Sequence, residues 1–241
     1  MNVFIVLPVY HEENSIEKVV RGIEKYVHTR HTTVLVFQDR QDPTIPIAKK
    51  LQKSFTHLEI IFTKHNKTGM LPALLTGFSH VPGSAIIVIT MADLSDDPSD
   101  IDRMIRKLNS GYDLVCGSRY CSGGKHLGGP FIKGFLSRFG CLTLHFFTGI
   151  NTHDATNAFK CFRKSLLDKI KIESEEGFAL PLELAVKAYA LGYRVGEIPT
   201  TWKDRETGAS KFQTWRNLRF YLQWYFFGLR ACLGRLLRRA S

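Results

Sequence analysis

The sequence predicts an α/β protein with a doubly wound, mostly parallel sheet. Short runs rich in Val, Ile and Leu recur about every 25–30 residues in the first part of the chain, and helical patterns lie between them. Such runs are typical of strands buried on both faces, and strands that alternate with helices predict right-handed βαβ units. The ordinary apolar share of 44% excludes disordered and fibrous classes, and 241 residues suit one large domain or two small ones. The predicted strands of this part are residues 3–7, 34–37, 58–62 and 85–90.

Three crossover helices are predicted between these strands. The first has Ile16 and Ile23 on its apolar face, and Asn14 stands where an N-cap is needed, with Glu17 three residues on. Pro72 falls in the first turn of the third helix, where proline is tolerated. The predicted helices are residues 16–27, 47–55 and 71–78.

The second half of the chain is less regular. Residues 122–130 are rich in glycine and are predicted to form a mobile loop in which Lys125 and His126 are solvated. No internal repeat or low-complexity linker interrupts the sequence, so we expect one domain, residues 1–211, followed by a C-terminal helix, residues 212–241. The further predicted elements are helices at residues 101–108, 133–147 and 180–191 and strands at residues 113–116 and 193–199.

The net charge of +11 predicts an anionic partner, which could be nucleic acid, a membrane surface or a phosphorylated small molecule. The excess is uneven, because residues 207–241 hold seven basic and no acidic residues.

Five cysteines without a CxxC pair argue against a disulfide framework or a structural zinc site and favour a reducing compartment. Residues 2–7 are too short for a signal peptide and residues 220–229 too short for a bilayer crossing, so we expect a cytosolic location.

Carboxylates follow three of the predicted strands at equivalent places. In an open parallel sheet, ligands bind beyond the carboxyl ends of the strands, so Glu12, Asp39 and Asp93 are candidate functional residues. Acidic residues at such positions also cap the helices that follow, and we assign that role to the neighbouring acidic residues. These neighbours are Glu13, Asp96 and Asp97.

Six motifs occur in the order found in a known family. They are residues 8–12 (Pro-Val-Tyr-His-Glu), the segment around Asp39, residues 92–94 (Ala-Asp-Leu), residues 117–120 (Gly-Ser-Arg-Tyr), residues 154–160 and residues 204–211. Over residues 3 to about 212 the chain thereby resembles glycosyltransferase family 2, and within it the dolichyl- or polyprenyl-phosphate mannose and glucose synthases. The resemblance implies the GT-A nucleotide-binding fold. It also implies an inverting transfer of a hexose from a GDP- or UDP-hexose to a polyprenyl phosphate at the cytoplasmic membrane face.

The resemblance implies a donor site with a divalent cation. Asp93 matches the second aspartate of the family's DxD motif, which holds Mg²⁺ or Mn²⁺ on the diphosphate, where the cation neutralises charge on the leaving group. The first position of that motif is Met91, a poor ligand for Mg²⁺, and residues 38–44 lack the family's Asp-Asp-Gly-Ser pattern. Either Asp93 and the diphosphate hold the cation, with Ser95 or Asp96 as a helper, or the metal is needed less in this subgroup. The residues matched to the donor are Pro8, Tyr10, Glu12, Asp39, Asp93, Arg205 and Lys211.

On the acceptor side, the resemblance implies that Arg119 and Arg138 face the acceptor phosphate, and a supporting ion pair is the alternative for both. A phosphate monoester is already anionic, so it needs positioning rather than a strong general base. The implied catalytic residues are Asp93, Arg119 and Arg138. Asp154 could bind a sugar hydroxyl or anchor its loop, and Glu183 could lie beside the reaction centre or be a satisfied core residue.

Residues 212–241 have the pattern of an amphipathic helix. Apolar residues recur at spacings of three and four, and arginines lie broadly opposite. An aromatic- and arginine-rich helix without acidic residues is typical of helices that lie in a lipid headgroup layer, so we expect peripheral membrane association. Packing on the domain or in a homodimer is the alternative. The predicted apolar stripe is Trp215, Leu218, Leu222, Tyr225, Leu229, Leu233 and Leu236.

Other functions stay open at this point. A family 2 enzyme acting on a hydroxyl acceptor, such as a cell-envelope glycan, would need a general base, for which Asp154 and Glu183 are the candidates. A non-catalytic nucleotide-sugar binding module is suggested by Met91. Nucleic-acid binding has little support, because no known reader motif accompanies the basic tail, and we expect no nucleic-acid partner.

Overall fold

The computed structural model describes residues 2–63, 69–204 and 214–240, without the side chains of residues 214–217 and 234–240. The strands in these residues are β1 (Val3–Val9), β2 (His31–Phe37), β3 (Leu58–Phe62), β4 (Ile86–Ile89), β5 (Leu114–Ser118), β6 (Lys125–Leu127), β7 (Lys160–Arg163), β8 (Val195–Pro199) and β9 (Thr201–Lys203). The α-helices are α1 (Ile16–Tyr26), α2 (Ile45–Ser54), α3 (Met70–His80), α4 (Ile101–Asn109), α5 (Phe131–Thr148), α6 (Lys164–Leu167), α7 (Leu180–Ala190) and α8 (Thr214–Ala240). A seven-stranded sheet has the order β3-β2-β1-β4-β7-β5-β8, and β6 pairs with β9 in a separate ribbon.

The sheet separates two apolar cores. Parallel pairing of β1 with β2 and β4, and of β2 with β3, confirms the predicted βαβ organisation. Alternate residues of β1 point to opposite faces. Ile5 and Leu7 pack with α1, α2 and α4, whereas Phe4 and Val6 pack with α3 and α7. Helices on both faces explain why the strands are almost continuously apolar.

Strand β7 is a departure from the predicted pattern, because it runs antiparallel between β4 and β5. Lys160 at the start of β7 pairs with Ile89 at the end of β4. The segment that precedes β7 therefore lies at the carboxyl ends of the parallel strands. This reversal brings residues 154–159 to the edge of the sheet where ligands are expected.

Two local predictions were wrong. Helix α1 begins at Ile16 with Ser15 in the N-cap position, so Asn14 does not cap it. The Ser15 hydroxyl donates instead to the Glu12 carboxylate at 2.8 Å. The glycine-rich residues 122–130 are not loop throughout, because they contain β6, whose backbone pairs in parallel with β9.

Helix α8 packs against the domain through a different face from the predicted stripe. Phe220 and Trp224, which lie outside that stripe, are buried in the core beside α7, and Leu222 and Leu233 of the stripe are exposed. Packing on the domain, the alternative considered for this helix, therefore accounts for one face, and of the stripe residues whose side chains are described Leu222 and Leu233 stay exposed while Tyr225 packs against the core. Among the described residues, no helix combines the length and the hydropathy needed to span a bilayer.

Candidate active site

A cavity of about 760 Å³ opens at the carboxyl ends of the parallel strands. The segments after β1 and β4 contribute to its wall, together with the β6–β9 ribbon, α5 and α8. This is the edge at which an open parallel sheet binds ligands. The predicted site residues that line the cavity are Pro8, Tyr10, Glu12, Asp93 and Arg119. The predicted residues Asp39, Arg138, Asp154 and Glu183 are not part of the cavity wall, and Arg205 and Lys211 lie outside the described residues.

The segment after β1 is held in shape by residues that follow β2. His11 has a left-handed backbone with φ 55°, which is uncommon for a non-glycine residue, and its N–H donates to the Asp42 carboxylate at 2.9 Å. The Glu12 N–H donates to the Thr44 hydroxyl at 2.8 Å. Asp42 and Thr44 are buried, and they fix the backbone that presents Glu12 to the cavity. Sequence reasoning assigned no role to Asp42, because it lies 31 residues from its partner.

At the end of β2 the cavity residue is Gln38 and not Asp39. Gln38 lines the cavity, and its side-chain oxygen accepts the N–H of Gly69 at 2.5 Å. Asp39 is exposed and accepts the N–H of Gln41 at 2.9 Å, a local turn contact. Because adjacent residues at a strand end point in opposite directions, only one of the two can face the ligand.

The segment after β4 presents one carboxylate to the cavity. Asp93 lines the cavity with Met91 and Ser95, and its carboxylate accepts the Ser95 N–H at 3.1 Å. Asp96 lies outside this cavity wall and is buried, where it accepts the Met91 N–H at 3.0 Å and the Thr90 hydroxyl at 3.2 Å. Burial and the nearby charge of Asp93 raise the pKa of Asp96 to about 7. Of the two candidate helpers for Asp93, Ser95 is therefore the one that the cavity can use.

The oxygen atoms of this corner fit a hard divalent cation. Asp93 supplies a carboxylate and Ser95 lies beside it in the cavity wall, which Glu12 and Asp204 also line, although Asp93, Glu12 and Asp204 do not form a close carboxylate cluster among the described residues. Mg²⁺ and Mn²⁺ prefer oxygen ligands of this kind, and Met91 supplies none. A cation at Asp93 would therefore take much of its coordination from a bound diphosphate and from water.

Arg119 and Asp154 form a buried ion pair at the cavity edge. The Arg119 Nε lies 2.7 Å from Asp154 Oδ2 and its Nη2 lies 2.9 Å from Oδ1, and the Arg119 backbone N–H donates to Oδ2 at 3.0 Å. Burial alone would raise the pKa of Asp154, but the charge and hydrogen bonds of Arg119 hold that pKa below its usual value. Arg119 therefore lines the cavity, and it also forms the supporting ion pair that was the alternative to a role at the acceptor phosphate. Asp154 anchors the arginine and is itself fully buried.

Hydroxyl and aromatic groups surround the guanidinium of Arg119. Its Nη2 donates to the Thr156 hydroxyl at 3.2 Å and to the Ser137 hydroxyl at 3.4 Å. The rings of Tyr120 and Trp202 have their centres 4.8 and 5.7 Å from the guanidinium carbon, within the range of cation–π attraction. Ser137, Thr156 and Trp202 line the cavity, although the sequence did not mark them as site residues.

Helix α5 brings Lys133 to the cavity and leaves Arg138 outside it. Lys133 and Ser137 are one turn apart and both line the cavity, whereas Arg138 is exposed. Arg138 is absent from the cavity wall although Ser137 and Phe139, on either side of it, both line the cavity. His126, expected to be a solvated loop residue, also lines the cavity, and burial together with the charge of Arg119 lowers its pKa.

Glu183 is a satisfied core residue. Its carboxylate accepts the backbone N–H groups of Glu173 at 2.6 Å and Ser174 at 2.9 Å, and the Lys187 ammonium at 2.7 Å. The Lys187 Nζ also lies 4.6 Å from the ring centre of Trp224. This network joins the segment before α7, α7 itself and α8. Of the two roles considered for Glu183, the structure supports the one in the core.

Between α5 and α8 the cavity wall is apolar. Side chains from both helices form a groove on this side of the cavity, and the charged residues Glu12, Asp93 and Arg119 come from other elements of the wall. A cavity that has charged residues in one part of its wall and apolar residues in another matches an amphiphilic ligand with a charged head and a hydrocarbon tail. The groove residues are Leu136, Phe139, Leu144, Leu218, Tyr221, Leu222 and Tyr225.

Proteins of known activity share extended sequence similarity with this chain. The polyprenol monophosphomannose synthase of Mycolicibacterium smegmatis is 28% identical over 212 residues, which cover 86% of this chain and 79% of that protein. The dolichol-phosphate mannosyltransferase of Pyrococcus furiosus is 28% identical over 219 residues, which cover 88% of this chain and 60% of that protein. The chain therefore spans less than two thirds of the Pyrococcus protein.

A solved structure of glucosyl-3-phosphoglycerate synthase from Mycobacterium tuberculosis, in complex with Mn²⁺, UDP and glucosyl-3-phosphoglycerate, matches with a TM-score of 0.67 at 17% identity. The match covers 96% of this chain and 80% of that one. Another complex of the same enzyme contains Mg²⁺ and UDP. This likeness concerns the fold, and it confirms the GT-A architecture expected from the sequence. The sequence profile of glycosyl transferase family 2 matches residues 4–171, more than half of the chain, and the protein belongs to that family.

Proposed function

We propose that this protein is an inverting hexosyltransferase that moves a hexose from a GDP- or UDP-hexose to a polyprenyl phosphate. The observation that carries the proposal is the cavity, because its wall combines charged residues such as Asp93 and Arg119 with the apolar groove between α5 and α8. A lipid phosphate has both a charged head and a hydrocarbon tail. Two relatives are named polyprenol monophosphomannose synthase and dolichol-phosphate mannosyltransferase, which supports the same acceptor class.

The donor nucleotide is proposed to lie along the segment after β1. Pro8, Tyr10 and Glu12 would contact the nucleobase and ribose, and Gln38 is better placed than Asp39 to join them, since it lines the cavity. Asp93, with Ser95 beside it, would hold a divalent cation on the diphosphate. When bound, this cation neutralises the charge that grows on the leaving nucleoside diphosphate. The proposed contacts to the donor phosphates outside the described residues are Arg205 and Lys211.

The acceptor phosphate is proposed to bind beside Arg119, Ser137 and Thr156, with Lys133 on the neighbouring turn of α5. Because Asp154 already balances the charge of Arg119, Lys133 adds positive charge that the phosphate needs. An anionic phosphate oxygen then attacks the anomeric carbon, the bond from that carbon to the nucleoside diphosphate breaks, and the configuration inverts. The residues of the chain supply positioning and charge rather than a proton acceptor.

A hydroxyl acceptor is less well supported by the site. Its proton would have to be accepted by a general base that reaches the cavity. The carboxylate of Asp154 is bound to Arg119, and that of Glu183 is bound to Lys187 and two backbone N–H groups in the core. Neither sequence-predicted base is therefore available to a sugar hydroxyl.

Exposed aromatic residues of α5, the last of which borders the groove, support peripheral association with the cytoplasmic membrane face, where a polyprenyl phosphate would be presented. Phe131, Phe135 and Phe139 are 84%, 57% and 58% exposed, and neighbouring rings in this row stack with centres 6.5 and 6.1 Å apart. An exposed aromatic row of this kind is unusual on a soluble surface. Together with the exposed Leu222 and Leu233 of α8, it provides apolar surface that would enter the lipid headgroup layer.

The proposal is tested by a transfer assay with the purified full-length protein, GDP-mannose or UDP-glucose, and Mg²⁺ or Mn²⁺. Polyprenyl phosphate is the acceptor, and the polyprenol that lacks the phosphate is its matched control. We expect a glycolipid product from the phosphate alone. Nucleotide binding without any product would instead support a binding module, and a product from the free alcohol would support the hydroxyl acceptor.

A further inference from the structure

A second cluster of metal-ligating side chains lies at the edge of the sheet opposite the cavity. His31 is the first residue of β2, His57 directly precedes β3, and Glu24 is in the last turn of α1. Because β2 and β3 run parallel, they begin at the same edge, and α1 returns the chain to that edge before β2. The topology therefore brings together three residues that are widely separated in the sequence.

The three ligand groups converge on one point. The Nε2 of His57 lies 2.9 and 2.8 Å from the two carboxylate oxygens of Glu24, and the Nε2 of His31 lies 3.8 Å from one of them. One ligand atom from each residue falls within 4.8 Å of the other two. Ligand atoms around a tetrahedral Zn²⁺ are about 3.3 Å apart, as follows from bond lengths of about 2.0–2.1 Å. The ligand atoms here are up to 4.8 Å apart, so a small side-chain rotation would bring all three to the distance that Zn²⁺ requires. The partly exposed His57 has room for such a rotation.

His31 supplies the observation that points to a ligand. Its side chain is only 5% exposed, and its Nδ1 lies 2.8 Å from the Thr29 carbonyl oxygen. A carbonyl only accepts, so Nδ1 carries the proton, and the neutral ring then has its lone pair on Nε2. Within the part of the chain that the structure describes, this Nε2 has no hydrogen-bond partner, and 3.8 Å from Glu24 is too long for one.

A buried acceptor nitrogen without a partner is costly, and a metal ion uses such a lone pair. The contact of Nδ1 with a backbone carbonyl is one of the arrangements that orient metal-binding histidines. Two imidazoles and a carboxylate form a donor set that suits Zn²⁺, and the solvent-facing side of His57 leaves space for a water ligand. Cysteine spacing could not reveal this site, because it contains no cysteine.

We propose that Glu24, His31 and His57 bind Zn²⁺ and thereby link α1, β2 and β3 at the edge of the sheet remote from the cavity. The ion stabilises the half of the domain that carries the segments after β1 and β2. This site is independent of the cation site at Asp93, which is built from oxygen ligands alone. It is also independent of the transferase activity, so either proposal can fail without the other.

The test uses the full-length protein without a histidine tag, stripped with a chelator and held in excess Mg²⁺ to occupy the oxygen site. Zn²⁺ is then titrated by calorimetry, and thermal unfolding is recorded in parallel. We expect one Zn²⁺ per chain and, at a Zn²⁺ concentration 100-fold above Kd, a rise in Tm of about 5–10 °C. Co²⁺ in place of Zn²⁺ should give the visible absorption of a tetrahedral site.

His31→Leu and His57→Gln should each weaken Zn²⁺ binding by about 100-fold or more, since removal of a ligand exceeds the 10–100-fold effect of removing its supporting group. His80→Gln is the matched control, because His80 also pairs with a glutamate, Glu59, but lies in no such cluster among the described residues. His57 is partly exposed, so its variant remains informative where His31→Leu fails to fold. Absence of Zn²⁺ binding by the wild type, or equal binding by the His57 and His80 variants, would overturn the proposal and leave a Glu24–His57 hydrogen bond only.

Discussion

Replacing Asp154 by asparagine removes the charge of a carboxylate that is fully buried against Arg119, while the shape of the side chain is kept. Three N–H groups of Arg119 donate to this carboxylate at 2.7, 2.9 and 3.0 Å, and the arginine side chain is only 11% exposed. Removing one partner of a buried ion pair costs about 3–5 kcal/mol, because the other charge stays buried without compensation. For a domain of this size, that loss lowers the Tm by about 6–20 °C.

The same pair predicts a pH dependence. The pKa of Asp154 in the folded protein lies below its ordinary value of 3.8. A carboxyl group with a lowered pKa stabilises the fold at pH values above the ordinary pKa, and this contribution is lost as the pH falls through the folded-state value. The difference in unfolding free energy between wild type and Asp154→Asn should therefore be constant near neutral pH and should shrink below about pH 4.

Urea unfolding followed by circular dichroism, repeated between pH 3 and pH 7, measures both effects. A double variant, Arg119→Met with Asp154→Leu, should recover most of the stability, since apolar groups can replace a buried ion pair, but it should not recover hexose transfer. A loss below about 1 kcal/mol for Asp154→Asn at pH 7, or a gap that does not narrow in acid, would refute the reasoning.

Three further predictions concern the cavity and the helix packing. Lys133→Ala should raise the KM for polyprenyl phosphate by about tenfold, because a charged hydrogen bond is lost, whereas Arg138→Ala should raise it by less than about twofold. Steady-state kinetics measures both KM values, and the opposite order would support the sequence-based assignment of Arg138. Asp93→Asn should weaken Mg²⁺-dependent binding of GDP or UDP by about 100-fold or more and leave metal-free binding unchanged in calorimetry, and equal effects on both would exclude a role in holding the cation. A Cβ at Gly228 would lie 3.1 Å from Leu144 and 3.2 Å from Val186, so Gly228→Leu should destabilise the protein by about 1–3 kcal/mol in urea unfolding. Gly140, where a Cβ has open space, is the control, and Gly140→Ala should stabilise the protein by about 0.5–1 kcal/mol.

The strands and helices that could be predicted are those whose own residues carry a pattern of apolar positions. Strand β3 occupies residues 58–62, as predicted, and α1 and α4 begin at residues 16 and 101, where their apolar periodicity begins. The strands that were missed, β6, β7 and β9, are three or four residues long and partly polar. Such segments become strands because a neighbouring strand pairs with them, and a pairing partner is not visible in a local pattern.

The sequence by itself determined that Glu12 and Asp93 reach the ligand-binding edge, because each follows a strand whose carboxyl end lies there, and the family resemblance pointed to Arg119. Only the tertiary structure decided which partner each ionisable side chain meets. Asp154 stands 35 residues from Arg119, and His57 stands 33 residues from Glu24. Hydrogen bonds and ion pairs act over about 3–4 Å, so these contacts exist only once the assembled sheet has brought distant segments together. For this reason the sequence could not show that Asp154 anchors Arg119 or that Glu183 belongs to a core network. The cluster of Glu24, His31 and His57 likewise had no signal in the sequence.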